Sequence, residues 1–236
     1  MKELLLLSNS TNPGEDYFTW PLDITRDFLR EKGVTEITFV PFAGVSISYD
    51  EYTSVFGARM ESIGIKVVSI HDQMDMVKAI KNAQAIAVGG GNTFALLNRL
   101  YKEALINQIQ ERVGAGIPYI GWSAGSNMTC PHIYTTNDMP IVEPPSFKAL
   151  NLIPYQINPH YTDKKMENHG GESRDLRLKE FMIANPETHL LCLPEGAYVA
   201  VKGESHFYMG RDGGKWMKNN QLLSVLKHGD SIPLSI

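Results

Sequence analysis

Short runs of continuous aliphatic residues alternate along the chain with longer stretches in which apolar residues recur every three or four positions. A short run bounded by Gly, Pro or Asn reads as a strand buried on both faces, and a three-to-four period reads as a helix with one apolar side. The runs predict strands at residues 3–8, 36–40, 66–70, 85–88, 118–122, 155–158 and 189–193. The periodic stretches predict helices at 22–31, 49–62, 74–83, 92–113 and 172–184, with Gly33, Gly64 and Gly114 as C-terminal stops. Strand and helix taking turns in this way imply an α/β fold, a doubly wound and mostly parallel sheet flanked by helices. After Glu195 the segments become short and alternating, with Gly203, Gly210, Gly213 and Gly214 between them, which predicts C-terminal antiparallel strands. No linker, repeat or low-complexity tract intervenes, so residues 1–236 are expected to form a single domain.

Composition narrows the function classes. With 43% apolar and 20% charged residues the chain is of ordinary globular type, and a formal net charge of -4 offers no basic stripe for nucleic acid. Cys130 and Cys192 stand alone, outside any disulfide or zinc spacing. Leu4 to Leu7 is far too short for a signal-peptide core, and no apolar stretch approaches the roughly 18 residues of a membrane span. The expectation is a cytoplasmic protein with a small-molecule partner, and with no metal or cofactor.

Candidate chemistry lies just after the strands, where open parallel sheets hold their ligands. Gly121-Trp122-Ser123-Ala124-Gly125 follows one strand and opens a helix, a G-x-S-x-G pattern at a strand-to-helix turn. A serine held on such a turn projects its hydroxyl from the sheet edge, and the flanking glycines remove side chains that would clash. Of seven histidines, His160 alone follows a strand-like run and a proline, which brings it to the same edge as a candidate base. Two acids compete to orient its imidazole: Glu195, in the turn Pro194-Glu195-Gly196, and Asp138, in a polar loop after the serine. Val88-Gly89-Gly90-Gly91-Asn92-Thr93 ends another strand, and Asn92 or Thr93 suits the cap of the following helix. The N–H of Gly90 or Gly91, with that of Ala124, is the candidate oxyanion hole. A phosphate loop is the rival reading, but the spacing lacks the third glycine and the G-K-[ST] element.

These segments, together with Pro41-Phe42-Ala43-Gly44-Val45, Thr135 to Val142 and Ile157-Asn158-Pro159-His160, resemble the peptidase E family of α-aspartyl dipeptidases over nearly the whole chain; no family motif is evident beyond about Lys202. The resemblance implies a class I glutamine-amidotransferase-like fold in which serine replaces the amidotransferase cysteine. It implies hydrolysis of Asp-Xaa dipeptides through an acyl-enzyme on Ser123, with His160 as its partner and Asp138 or Glu195 as the acid. It also implies Arg174, in Gly170-Gly171-Glu172-Ser173-Arg174, as the cation for the aspartyl carboxylate, and Asn92 as a further substrate contact. A cyanophycinase-like peptidase and a non-catalytic binding protein of the same fold are the alternatives.

Overall fold

A computed structural model describes residues 1–164 and 170–234. Its first part follows the predicted alternation: β1 (Glu3–Leu7), α1 (Leu22–Arg30), β2 (Glu36–Val40), α2 (Tyr49–Glu61), β3 (Lys66–Ser69) with a 3-10 turn at Ile70–Asp72, α3 (Met76–Asn82) and β4 (Ile86–Val88). Next come α4 (Thr93–Lys102), α5 (Leu105–Gly114), β5 (Tyr119–Trp122), α6 (Ala124–Asn127), β6 (Gln156–Tyr161), α7 (Arg174–Ala184) and β7 (Leu190–Pro194). Four strands close the chain: β8 (Ala197–Lys202), β9 (Ser205–Gly210), β10 (Gly214–Lys218) and β11 (Gln221–Leu226).

Seven strands form one sheet in the order β3-β2-β4-β5-β1-β8-β9. Its first five strands run parallel, and β8 and β9 add antiparallel to β1. The Leu4-Leu5-Leu6-Leu7 run explains why β1 lies inside it: Leu4 and Leu6 point into one apolar core, Leu5 and Leu7 into the other. A strand with no polar face has to be covered on both sides, here by helices.

The structure corrects three expectations. The strands near 155–158 and 189–193 do not join the main sheet; β6 pairs in parallel with β7, and β10 and β11 complete a second sheet in the order β11-β10-β7-β6. One face of this sheet shares the larger core through Tyr155, Ile157, Leu191 and Trp216, while α7 covers the other through Leu178 and Met182. The helix expected at 92–113 is two, α4 and α5, separated at Ala104, whose φ is 53°. A straight helix continuing the buried face of Leu97 and Leu100 would next bury Ala104, Asn107 and Glu111; the break rotates the register so that Leu105, Ile109 and Val113 face inward instead. Gly114 closes α5 as its last helical residue, and the left-handed position after it is Gly116, with φ 99°. Gly33 and Gly64 do take left-handed φ after α1 and α2, as C-terminal stops require.

Candidate active site

The site begins with the turn between β5 and α6. Ser123 has φ 53° and ψ -112°, a sparsely populated conformation for a residue with a Cβ. The two glycines of G-x-S-x-G are steric necessities. A Cβ on Gly121 would sit 2.5 Å from the Gly125 carbonyl oxygen, and one on Gly125 would sit 2.1 Å from that of Val88. Ser123 N–H donates to Leu7 O at 3.1 Å, which fixes the turn to the end of β1.

His160 lies inside β6 rather than beyond it, at a register shift between Asn158 and Tyr161, and it too has a positive φ of 54°. The bulge turns its ring toward Ser123. Ser123 Oγ lies 2.8 Å from Nε2, and Glu195 Oε1 lies 2.8 Å from Nδ1. A carboxylate at Nδ1 favours the tautomer with its proton there, leaving the Nε2 lone pair to accept from the serine hydroxyl. Glu195 occupies the turn between β7 and β8, followed by left-handed Gly196.

Asp138 is elsewhere. Its Oδ2 accepts from the Thr93 backbone N–H at 2.7 Å and from Thr136 Oγ1 at 3.0 Å, so the carboxylate sits at the start of α4. The geometry therefore separates the two candidate acids, bringing Glu195 to the imidazole and Asp138 to a helix N-terminus. Asn92 caps the same helix, its Oδ1 accepting from Ala95 N–H at 3.0 Å, while its Nδ2 donates to Met139 O at 2.9 Å.

The glycine loop approaches the serine closely. A Cβ on Gly90 would meet Trp122 Cδ1 at 2.9 Å and Ser123 Cβ at 3.1 Å, and one on Gly91 would meet the Ala43 carbonyl oxygen at 2.2 Å. The neighbouring amides of Gly89 and Asn92 donate to Val40 O and Ala43 O, but among the described residues the N–H groups of Gly90 and Gly91 have no acceptor. Ala124 N–H is the first amide of α6, where no intrahelical acceptor exists. All three candidate oxyanion donors thus remain available to a ligand. A cleft of about 620 Å³ opens here, with Ser123, His160, Gly90, Gly91 and Asn92 in its walls and Val45 and Ile141 at its apolar side.

Arg174 is not among the residues lining that cleft. It is the first residue of α7, half-buried, and makes no ion pair among the described residues. Burial lowers its pKa, and the nearby Arg177 lowers it further.

Several supports escaped the sequence reading. Ser8 Oγ accepts from His160 N–H at 2.8 Å and donates to Leu193 O at 2.8 Å, tying β1 to both β6 and β7. Asn9 Oδ1 accepts from Gly196 N–H at 2.8 Å, holding the turn that carries Glu195. Both follow β1 directly, so the rule that sends attention to strand carboxyl ends applies to them as much as to Ser123. Tyr52, which accepts from Trp122 Nε1 at 3.1 Å and donates to Gly90 O at 3.0 Å, braces the glycine loop from α2 and had no local sequence signal.

The model of peptidase family S51 matches residues 4–209. Peptidase E of Nostoc sp. is 47% identical over 204 residues, which is 86% of this chain and 84% of that protein. Peptidase E of Pasteurella multocida is 42% identical over 226 residues, covering 96% of this chain and 97% of the relative. The crystal structure of a peptidase from an acI-B1 Actinobacterium matches with a TM-score of 0.75 over 98% of this chain and 96% of that chain; at 16% identity this is a likeness of fold alone.

Proposed function

Since the chain belongs to peptidase family S51, we propose that this site hydrolyses dipeptides with an N-terminal aspartate, Asp-Xaa, by way of an acyl-enzyme on Ser123. The observation that carries the reading is the imidazole of His160 held 2.8 Å from Ser123 Oγ on one side and 2.8 Å from Glu195 on the other. In this mechanism Nε2 removes the serine proton as Oγ attacks the scissile carbonyl carbon. The negative oxygen of the tetrahedral intermediate is received by the N–H of Ala124 and of Gly90 or Gly91. The imidazolium, stabilised by Glu195, then protonates the leaving amine, and water repeats the sequence on the ester to release aspartate. The cytoplasm is the compartment we propose for this reaction.

Selection for aspartate calls for a cation, and Arg174 is the residue we assign to it. A half-buried guanidinium with no carboxylate partner among the described residues, its charge disfavoured by burial and by Arg177, is stabilised when a substrate carboxylate arrives. A charge-assisted pair contributes about 1.5 to 3 kcal/mol, or about ten- to a hundred-fold in kcat/KM. Arg174→Met should therefore depress hydrolysis of Asp-Leu by that factor and change slow cleavage of Asn-Leu little. Equal loss on both substrates would remove Arg174 from the reading of the side chain.

The catalytic proposal is tested by rates on Asp-Leu, Leu-Leu, Glu-Leu and an N-blocked Asp peptide, with a fluorophosphonate probe in parallel. Cleavage of Asp-Leu alone and probe labelling abolished by Ser123→Ala are expected. Failure to label would mean that the serine is not activated, and preference for the blocked peptide would move the activity toward a polymer-degrading peptidase.

A further inference from the structure

We propose that Asp50, His71 and Asp72 form a binding site for one divalent transition-metal ion of the zinc type, remote from Ser123. His71 Nε2 lies 2.9 Å from Asp50 Oδ1 and 3.1 Å from Asp72 Oδ1, and the three ligand atoms lie within 4.8 Å of one another. Tetrahedral ligands about 2.0 to 2.1 Å from a zinc ion stand about 3.3 Å apart, so the two carboxylates need move only a few tenths of an ångström from the imidazole nitrogen to share an ion with it, with water in the fourth position.

The imidazole is prepared for this. Its Nδ1 is 2.5 Å from Ser69 Oγ and its ring packs edge-on to Tyr49 with centroids 5.4 Å apart, leaving the side chain only 15% exposed. A partner at Nδ1 fixes the ring and the tautomer of a metal-binding histidine, which directs the Nε2 lone pair at the ion. An ion pair alone is a poor account of the arrangement. A single Nε2–H would have to serve two carboxylates whose like charges repel, and both are exposed, at 85% and 58%, where such pairs contribute about 0 to 1 kcal/mol. A dication satisfies all three groups and removes the repulsion.

Sequence spacing conceals the site because Asp50 and His71 are 21 positions apart and belong to different elements. Asp50 is in the first turn of α2, and Asp72 ends the 3-10 turn after β3. The bound ion would clamp the start of α2 to the end of β3, two residues ahead of the Tyr52 that braces the glycine loop.

The test uses the full chain after chelator treatment, titrated with Zn²⁺ by calorimetry and with Co²⁺ by visible spectroscopy. We expect one Zn²⁺ per chain at micromolar affinity, a tetrahedral Co²⁺ spectrum that Zn²⁺ abolishes, and a rise in Tm with zinc. His71→Gln and Asp72→Asn should each weaken binding by at least about tenfold, with circular dichroism confirming that both variants fold. Binding should persist in His160→Ala. Loss of the zinc in that variant, unchanged affinity in both site variants, or no binding at all would each overturn the proposal.

Discussion

Ser123 and His160 both occupy the left-handed side of backbone space without being glycines, a strain of roughly 1 to 3 kcal/mol each that the surrounding turns sustain. What the strain holds in place is a short line of three groups, and the acid at its end is where a single atom matters most. Glu195→Gln keeps the size of the side chain but offers Nδ1 an amide that no longer stabilises an imidazolium. We expect kcat to fall by about 10³ to 10⁴ with KM little changed. Asp138→Asn should behave oppositely. Its carboxylate serves the first amide of α4, so the variant should lose about 0.5 to 1 kcal/mol of helix-terminus stabilisation, seen as a drop of about 1 to 4 °C in Tm, while kcat stays near that of the parent. A large loss of kcat in Asp138→Asn with Glu195→Gln unaffected would reverse the two roles. The residue pattern made Ser123 and His160 visible because each follows a strand-like run. It left the acid ambiguous because a carboxylate in a polar loop looks the same whether it orients an imidazole or caps a helix.

Among the elements, the break between α4 and α5 has the clearest local signature and the least sequence warning. Neither Gly nor Pro marks it; Ala104, a strong helix former, takes the left-handed conformation because the core requires Leu105, Ile109 and Val113 to face inward. Ala104→Gly should relieve about 1 to 2 kcal/mol of local strain and lose about 0.4 to 1 kcal/mol to the greater freedom of the unfolded chain. The first term is the larger, so a small rise in Tm is expected. Ala104→Val, at an exposed position with room for the methyl groups, should lower Tm through the backbone alone. A pair of melting curves decides both. The same logic explains what was legible about the elements. Strands and most helices could be read because burial on two faces or one imposes a period. The departure of β6 and β7 to a second sheet could not, since the patterns of Gln156-Ile157-Asn158 and Leu190-Leu191-Cys192-Leu193 mark buried strands without saying which sheet they join.

At the scale of the whole molecule, the two sheets meet at a buried contact between Tyr155, which leads into β6, and His206 of β9. The fully buried Tyr155 hydroxyl, whose own pKa burial raises, lies within hydrogen-bond distance of His206 Nδ1, at 3.0 Å. Burial, and then the charge of Lys2, lowers the His206 pKa from 6.5 to about 4. A histidine depressed on folding lets the unfolded chain take up the proton first. Stability is therefore unaffected above about pH 6.5, falls as pH drops toward 4, and levels off below it. Allowing for partial solvent screening, the loss is about 1 to 3 kcal/mol. Melting curves at pH 7.5 and 4.5 should show His206→Asn losing less stability on acidification than the parent chain; equal losses would place the acid sensitivity elsewhere. The joint between the sheets also sets an order in time. Ser123 rides on the seven-stranded sheet, His160 on the other, and Glu195 in the turn that passes from one to the other, 35 positions after His160. Synthesis runs in that same direction, so a growing chain contains Ser123 long before His160, its proposed base, and the β7–β8 turn that carries Glu195 is made later still. On the proposed mechanism the Ser123 hydroxyl stays an ordinary alcohol until both later segments have joined it, so activity arises with the last folding steps rather than with synthesis of the serine.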